Sequence, residues 1–300
     1  MVEPRGTPAS SVEDGWKQVL SHTCIKNPLA TGLAALNQPE IVAMIPFPPR
    51  GAVSRMEDFL IFAGIGFLAQ LVDGALGMAF GVLSTTSLLA FGVPPATASA
   101  VTHVTEIFTT AASGASHVFH RNVDWRLVAR LAPAGMIGGA IGAFVLSNVD
   151  AKMMQPMVSA YLMVIGLYLV FKAFRPLWPR EVQDWLVPWI GGGGGLLDAI
   201  GGGGWGSIVT SSLIGRGHAP RHVIGSTNLT EFLVTIVISA TFILTLGWSE
   251  LRSATGLIVG GVLAAPLGGF LVSRVPTRPL MVGVGLIIIA TSIPRILPAL

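Results

Sequence analysis

From residue 58 onward, long apolar runs alternate with short connectors that carry charged, Pro or Trp residues. Each run reaches the length of about 20 apolar residues that an α-helix needs to cross a bilayer core of roughly 30 Å. The pattern therefore predicts an all-α integral membrane protein with about eight transmembrane helices. The predicted segments are Phe59 to Ala90, Ala98 to His117, Leu127 to Leu146, Met153 to Phe174, Trp185 to Gly215, Val223 to Leu246, Leu251 to Val272 and Leu280 to Leu297.

The first and fifth segments are longer than one crossing requires, and glycine is concentrated in their middles. These glycines lie between Gly74 and Gly81 and between Gly201 and Gly206, and glycine weakens a helix interior. Each segment is therefore predicted to be a broken helix, or a crossing followed by a re-entrant piece. If the extra piece crosses the membrane fully, the two halves of the chain are inverted. If it does not, they are parallel, and the sequence leaves both arrangements open.

A repeat relates the two halves at an interval of 125 residues. The stretch from Asp73 to Glu106 aligns without a gap to the stretch from Asp198 to Glu231, with 11 identities in 34 positions. Apolar composition can align Leu with Leu, but it does not place a carboxylate opposite a carboxylate at both ends. The alignment predicts two homologous four-helix repeats. Ionisable groups at equivalent places in a duplicated membrane unit are typical of transporters.

The repeat also divides the chain into regions. We predict a first membrane repeat at 56–175, a connector at 176–184 and a second membrane repeat at 185–300. Residues 1–55 are predicted to be a polar tail, disordered or lying on the surface. The run from Leu29 to Phe47 is interrupted by polar residues and Pro, so it is too short to cross a bilayer, and the tail lacks the order of a signal peptide. An alternative is that the chain begins at Met56, which mass spectrometry of the native N-terminus would test.

Composition supports membrane insertion and excludes several other classes. Only 11% of residues are charged and 52% are hydrophobic, whereas soluble domains carry about 25% charged residues. Cys24 is the single cysteine, so no disulfide framework and no Cys/His cluster for zinc or iron–sulfur is expected, and we predict no cofactor. The net charge of +3 is interpreted as loop basicity that sets topology, with no nucleic-acid partner.

Loop charge gives an orientation. With a cytoplasmic N-terminus and eight crossings, ten basic residues lie at the inner face and five at the outer face, which predicts both ends inside. The inner set is Arg50, Arg55, Arg121, Arg126, Arg130, Lys172, Arg175, Arg180, Arg252 and Arg295, and the outer set is Lys152, Arg216, Arg221, Arg274 and Arg278.

Several motifs occur in a fixed order in the first half. A glycine-rich broken segment and an apolar run precede Gly92-Val-Pro-Pro95, and a helix with a Thr/Glu cluster follows. The short loop Asn122-Val-Asp-Trp125 leads into a helix with Gly138-Gly139 and Gly142, and a weaker copy comes after it. Over about residues 59 to 297 the chain resembles the TauE/SafE sulfite exporter family, also called the toluene sulfonate uptake permease family. The resemblance implies a multi-pass protein of the cell (inner) membrane that moves sulfite or sulfonates, coupled to protons.

The glycine breaks are the first candidate binding feature. Unwound glycine exposes backbone amides, and helix N-termini carry partial positive charge, so two facing breaks can hold an oxyanion without Lys or Arg. Gly77, Gly202 and Gly203 are the predicted substrate-binding glycines. The alternative is that these glycines only permit close helix packing. A dinucleotide-binding loop does not fit the glycine spacing or the membrane context.

A polar cluster on one helix of each half is the second candidate. Residues four apart share a helix face, so Thr102 with Glu106 and Thr227 with Glu231 each present a hydroxyl and a carboxyl together. A carboxyl donates a hydrogen bond to an anion only when protonated, and burial in hydrocarbon disfavours its charged form. We predict proton coupling at Glu106 and Glu231; the alternative is a structural hydrogen bond. The predicted substrate-binding residues of the two clusters are Thr102, His103, Thr105, Thr227, Asn228 and Thr230.

Two acids that precede the breaks complete the candidate site. Asp73 and Asp198 are predicted either to cap the broken helices, as Asp does at helix starts, or to take part in proton coupling. Because His103 corresponds to Asn228, which does not titrate, a shared polar role is favoured over a proton relay.

The sequence therefore predicts a secondary transporter for a small anion, most simply proton-linked export of sulfite or an organosulfonate, with lipids and protons as partners. The first alternative is a cation-coupled carrier or cation channel, since intramembrane carboxylates also suit cations. An enzyme is not predicted, because no HExxH motif and no convincing Ser/His/Asp set occurs. A scaffold would leave the repeated carboxylates without a reason. Substrate identity, direction and a homo-oligomeric state stay open.

Overall fold

A computed structural model describes residues 55–76, 78–174, 183–214, 220–248, 254–272 and 276–297. The predicted tail at 1–55, apart from its last residue, and most of the predicted connector at 176–184 lie outside these ranges. Within them the chain is helical and contains no strand, so the all-α prediction is confirmed for the described residues.

Ten α-helices follow one another along the described chain. A 3₁₀ turn, Asp184–Leu186, precedes α6, and a π-helical turn, Gly206–Thr210, precedes the short α7. The helices are α1 Arg55–Leu76, α2 Phe80–Ala90, α3 Pro95–Phe119, α4 Trp125–Asn148, α5 Ala151–Phe174, α6 Val187–Gly201, α7 Ser211–Leu213, α8 Pro220–Leu246, α9 Ala254–Val272 and α10 Thr277–Ile296.

Five of the described helices are long and apolar enough to cross a membrane: α1, α4, α5, α8 and α10. The layout of eight crossings is therefore still a prediction. Three of the predicted segments, those of α3, α6 and α9, are not among these five, and two of the three fall short for local reasons. Helix α3 has 25 residues, but its Thr, Ser, His and Glu side chains lower its hydropathy. Helix α6 ends after 15 residues, at the glycines of the second break.

The chain turns back on itself at both glycine-rich places. After α2, the Phe91 ring lies edge-on to Phe62 of α1, with centroids 6.0 Å apart, so α2 returns beside α1. After α6, a Cβ on Gly194 would overlap the Val209 side chain, so the π-helical turn returns beside α6. Gly202 ends α6 in the left-handed conformation with φ +68°, which suits glycine because it has no Cβ.

Helices from the two halves of the chain are interleaved. Helix α1 packs most extensively against α9, and α4 against α6; α5 packs against α10 and α3 against α8. Glycine permits the closest approaches, since a Cβ on Gly138 would overlap the Gly192 carbonyl and one on Gly260 would overlap the Ala63 carbonyl. Small residues at such contacts are how helices associate where lipid supplies no hydrophobic drive.

Two contacts define one end of the helix bundle. The Asp124 amide donates to Ser226 Oγ at 2.7 Å, and Arg130 forms an ion pair with Asp184 at 2.7 Å. Loop 120–124 therefore lies beside the starts of α6 and α8, and this is called the loop-122 end. The opposite end, called the loop-149 end, is where α4 meets α5. There the Thr245 hydroxyl, close to the end of α8, donates to Ser147 Oγ at 2.9 Å.

Candidate functional site

The two breaks face each other in the middle of the bundle. The Thr85 hydroxyl, in α2, donates to the Gly202 carbonyl, and Ser207 Oγ donates to the Met78 carbonyl at 3.2 Å. A Cβ on Gly203 would overlap the backbone of Gly81. The breaks therefore touch through the backbone at Gly203 and Gly81, and the two side-chain hydroxyls join them through backbone carbonyls.

An aspartate caps each break in the same way. Asp73 Oδ1 accepts hydrogen bonds from the Ala79 and Phe80 amides at 2.7 and 3.1 Å. Asp198 Oδ1 accepts from the Trp205 amide at 2.9 Å, and Trp205 is the repeat equivalent of Phe80. These contacts satisfy backbone donors that a helix start leaves unpaired, so both aspartates have the predicted capping geometry.

Two threonine pairs secure the segments that follow the breaks. Thr85 Oγ1 lies 2.9 Å from Thr102 Oγ1, and the Thr210 hydroxyl donates to Thr227 Oγ1, also at 2.9 Å. Because Thr85 donates its single proton to Gly202, Thr102 must be the donor to Thr85. Thr102 and Thr227 thus lie against the returning segments.

His103 joins the first half of the chain to the second break. Its Nδ1 lies 2.8 Å from the Ser99 carbonyl, and its Nε2 lies 3.2 Å from Asp198 Oδ2 and 3.9 Å from Glu106 Oε2. Both ring nitrogens face oxygen acceptors in this fully buried position. The contact of His103 with Asp198 therefore joins α3 to the residue that caps the second break.

A cavity of about 920 Å³ runs from the breaks toward Ser116 and His117, near the loop-122 end of α3. It is bounded by α1, α2, α3, α8 and α9 and by the second break. Four predicted site residues line it: Asp73, Glu106, Asn228 and Glu231. The predicted residues that do not line it are Thr102, His103, Thr105, Asp198, Gly202, Gly203, Thr227 and Thr230. Gly77 lies outside the described residues.

Glu106 and Glu231 share this cavity but differ in environment. Glu106 is buried, and its Oε1 lies 2.7 Å from where a Cβ on Gly81 would be. Its Oε2 has no hydrogen-bond partner among the residues the structure describes. Glu231 is only partly buried. Glu106 therefore lines the cavity while one of its carboxyl oxygens has no hydrogen bond in the described structure, and such a carboxyl group is suited to contact a ligand.

The remaining predicted site residues bond mainly to their own helices. Thr105 Oγ1 donates to the Val101 carbonyl and Thr230 Oγ1 to the Ser226 carbonyl, each at 2.8 Å. Asn228 donates to the Ile224 carbonyl at 3.0 Å and accepts from Ser113 Oγ at 3.2 Å.

Comparison with known proteins decides the family. Residues 62–294 match the family described as Sulfite exporter TauE/SafE, which is more than half of the chain. This protein belongs to the TauE/SafE family. It is similar to a Bacillus subtilis (strain 168) protein named "Probable membrane transporter protein YtnM", with 39% identity over 239 residues that cover 76% of this chain and 79% of that protein. No solved structure matches the chain. The protein is accordingly a multi-pass membrane transporter.

In this TauE/SafE protein, sequence reasoning missed several cavity residues. Thr109, Thr110 and Ser113 line the cavity three, four and seven positions after Glu106, and Gln70 lines it three positions before Asp73. Helical spacing from the two acids would have found all four. Among the described residues, no group of three or more His, Cys, Asp or Glu side chains is arranged to hold a metal ion.

Proposed function

We propose that this TauE/SafE protein exports sulfite or a small organosulfonate across the cell inner membrane, coupled to protons. One observation supports this most directly. Glu106 and Glu231, which occupy equivalent positions in the repeat, line the same cavity, and that cavity reaches both glycine breaks.

The proposed chemistry follows from what the cavity walls offer an anion. Phe80 and Gly81, the first residues of α2, line the cavity, so the positive end of the helix dipole points toward it. An ionised Glu106 would repel an anion there, whereas a protonated one would donate to it. Proton and anion therefore bind together, and loss of either favours release of the other.

The reversals at the breaks give the proposed topology. If α1 with α2, and α6 with α7, return to the side on which they started, three helices remain to cross in each half. An odd number makes the halves inverted, and we retain 56–175 and 185–300 as the two repeats. This choice between the two arrangements rests on the contact of Phe91 with Phe62.

This topology also gives an orientation. Counted without Lys172 and Arg295, five described basic residues fall at the loop-122 end and two at the loop-149 end, which favours a cytoplasmic loop-122 end. The start of α1 and the end of α10 then face outward, the reverse of the sequence prediction, because α1 and α2 no longer count as one crossing. The cavity then extends toward the cytoplasm, the side from which an exported anion enters. The five are Arg121, Arg126, Arg130, Arg221 and Arg278, and the two are Arg55 and Lys152.

A second candidate function is cation transport. Three carboxylic acids line the cavity, and none of its described lining residues is Lys or Arg. Ionised carboxylates in such a place would attract a cation as readily as protonated ones would accept an anion.

Flux into proteoliposomes separates the two candidates. Radiolabelled sulfite and a non-volatile organosulfonate are each followed with an imposed pH gradient, with protein-free liposomes as the background. The proposal predicts that protons accompany the anion down the anion's own gradient, which drives export in the cell, and that an imposed pH gradient changes the anion flux. Glu106→Gln and Glu231→Gln should abolish this response. The control Glu57→Gln, at an exposed position in α1, should behave as wild type. Anion flux that ignores both the pH gradient and the substitutions contradicts the proposal, and metal-ion flux without anion flux favours cation transport.

A further inference from the structure

Two basic side chains reach into the bundle beside the returning segments. Lys172, near the end of α5, donates from Nζ to Ser211 Oγ at 2.6 Å and to Met78 Sδ at 3.2 Å. Arg295, near the end of α10, donates from Nη2 to the Thr86 carbonyl at 3.2 Å. Ser211 follows Thr86 by 125 residues, the interval of the repeat. The two cations therefore contact equivalent positions on opposite sides of the central breaks.

Neither cation has a carboxylate partner in the described part of the chain, where the ion pairs involve other residues. Both side chains are partly buried. A charge inside a membrane protein without a counter-charge is unfavourable, and such residues are functional by default. Lys172 and Arg295 therefore each lack a negatively charged partner within the described ranges.

The Arg295 position shows in addition which groups are unfilled. Arg295 Nη1 and Thr86 Oγ1 are both shielded from solvent, and neither has a hydrogen-bond partner among the described residues. An Arg that merely extends its charged end to the membrane surface would place Nη1 in water. A guanidinium donor and a hydroxyl donor on contacting residues suit an oxyanion, whose oxygens accept from both.

We propose that Arg295 with Thr86, and Lys172 with Ser211, form two outer oxyanion sites that receive the transported anion on either side of the central cavity. The inference rests on the proposed function and adds to it the residues of the path. Lys172 serves the loop-122 end, because it contacts Met78, which lines the cavity. Arg295 serves the loop-149 end, beyond the breaks. At the Lys172 site an anion oxygen replaces Ser211 as the acceptor of the ammonium proton.

The test measures sulfite flux in proteoliposomes of defined orientation, as initial rate against sulfite concentration applied from each face. Lys172→Met should raise KM about tenfold or more at the loop-122 face, because a charge-assisted hydrogen bond is lost. Arg295→Met and Thr86→Val should do the same at the loop-149 face. In all three, kcat should change far less than KM. Lys172→Arg and Arg295→Lys keep the positive charge and should raise KM less than the Met variants do. Lys152→Met, which removes an exposed charge at the start of α5, should stay close to wild type.

The outcomes distinguish this inference from the proposed function. If the wild type transports sulfite and the three variants have an unchanged KM, the outer sites alone are overturned. An equal shift in KM at both faces in every variant overturns them as well. A wild type that moves neither sulfite nor the organosulfonate overturns the proposed function and the outer sites together. If Arg295→Met does not give a monodisperse protein, Thr86→Val, which keeps the charge and the side-chain volume, decides the result for that site.

Discussion

His103 Nε2 lies 3.2 Å from Asp198 Oδ2 and fastens α3 to the second break. The equivalent residues of the repeat are Asn228 and Asp73, which both line the cavity and make no hydrogen bond to each other in the described structure. The pair His103 and Asp198 is thus closed by direct contact, whereas the equivalent pair, Asn228 and Asp73, faces an open cavity. On the closed side, Phe242 is fully buried with its ring 6.3 Å from that of His103, whereas its equivalent, His117, lines the open cavity.

Replacing His103 by Leu should destabilise the protein, because it removes the partner of a buried Asp198 oxygen. We expect a loss of about 1–3 kcal/mol in the free energy of unfolding, measured as a lower melting temperature in detergent. His103→Asn should lose less, because Asn occupies the equivalent position and keeps a polar group there. The control is His120→Leu at an exposed site near the end of α3; equal melting temperatures for the two Leu variants would show that the contact with Asp198 contributes nothing.

Gly203→Ala should prevent folding or abolish transport. Gly203 has φ +147°, a conformation that L-residues rarely adopt, and a Cβ there would overlap the backbone of Gly81 and Val82. Backbone strain alone costs about 1–3 kcal/mol, and the overlap adds to it. Gly193→Ala is the matched control, because a Cβ there meets nothing within 4 Å. Expression, monodispersity and flux are measured for both, and a functional Gly203→Ala protein would contradict the close contact of the breaks.

The threonine pairs should contribute unequally. Thr85→Val leaves the Gly202 carbonyl and the Thr102 hydroxyl without their partner, and we expect a loss of about 1–3 kcal/mol. Thr210→Val should lose about half as much, because Thr227 also bonds to the Val223 carbonyl at 3.0 Å. Thr85→Ser keeps the hydroxyl and should restore most of the stability. Chemical or thermal unfolding of the three variants tests this order, and a reversed order would contradict the assigned hydrogen bonds.

The sequence predicts the features that depend on residues repeated in the two halves of the chain or on local backbone geometry. The all-α fold is confirmed for the described residues, and so is the family. Each aspartate accepts hydrogen bonds from backbone amides just after its break, as capping predicts. The sequence left the reversal after each break open as one of two arrangements, since hydropathy is the same for a helix that continues and one that returns. Only a distant contact, Phe91 on Phe62, distinguishes them.

The basic residues illustrate a second limit. Lys172 and Arg295 lie near the ends of apolar runs, so sequence analysis assigns them to the inner face as topology signals. Their long side chains instead extend to Ser211 and Thr86. A side chain of this length covers several residues of helix rise, and its direction depends on the neighbouring helices.

The open arrangement around Asn228 and Asp73 and the closed one around His103 and Asp198 should differ in accessibility to a water-soluble thiol reagent. In a Cys24→Ser background, which has no other cysteine, Ser113→Cys places a thiol on the cavity wall. Its repeat equivalent, Ile238→Cys, places one at a fully buried position. With the loop-122 end in the cytoplasm, a membrane-impermeant reagent should label Ser113→Cys quickly in inside-out vesicles and slowly in right-side-out vesicles. Ile238→Cys should be labelled slowly in both.

A small alkanesulfonate, which unlike sulfite does not consume a thiol reagent, should slow the labelling of Ser113→Cys if it occupies the cavity, whereas sodium chloride at the same ionic strength should not. The melting temperature of Ile238→Cys must match that of its parent, because a loosened core would expose the thiol by unfolding. Equal labelling of the two cysteines would contradict the difference in accessibility between the open and the closed arrangement. Faster labelling of Ser113→Cys from the right-side-out face would contradict the orientation while leaving the cavity itself in place.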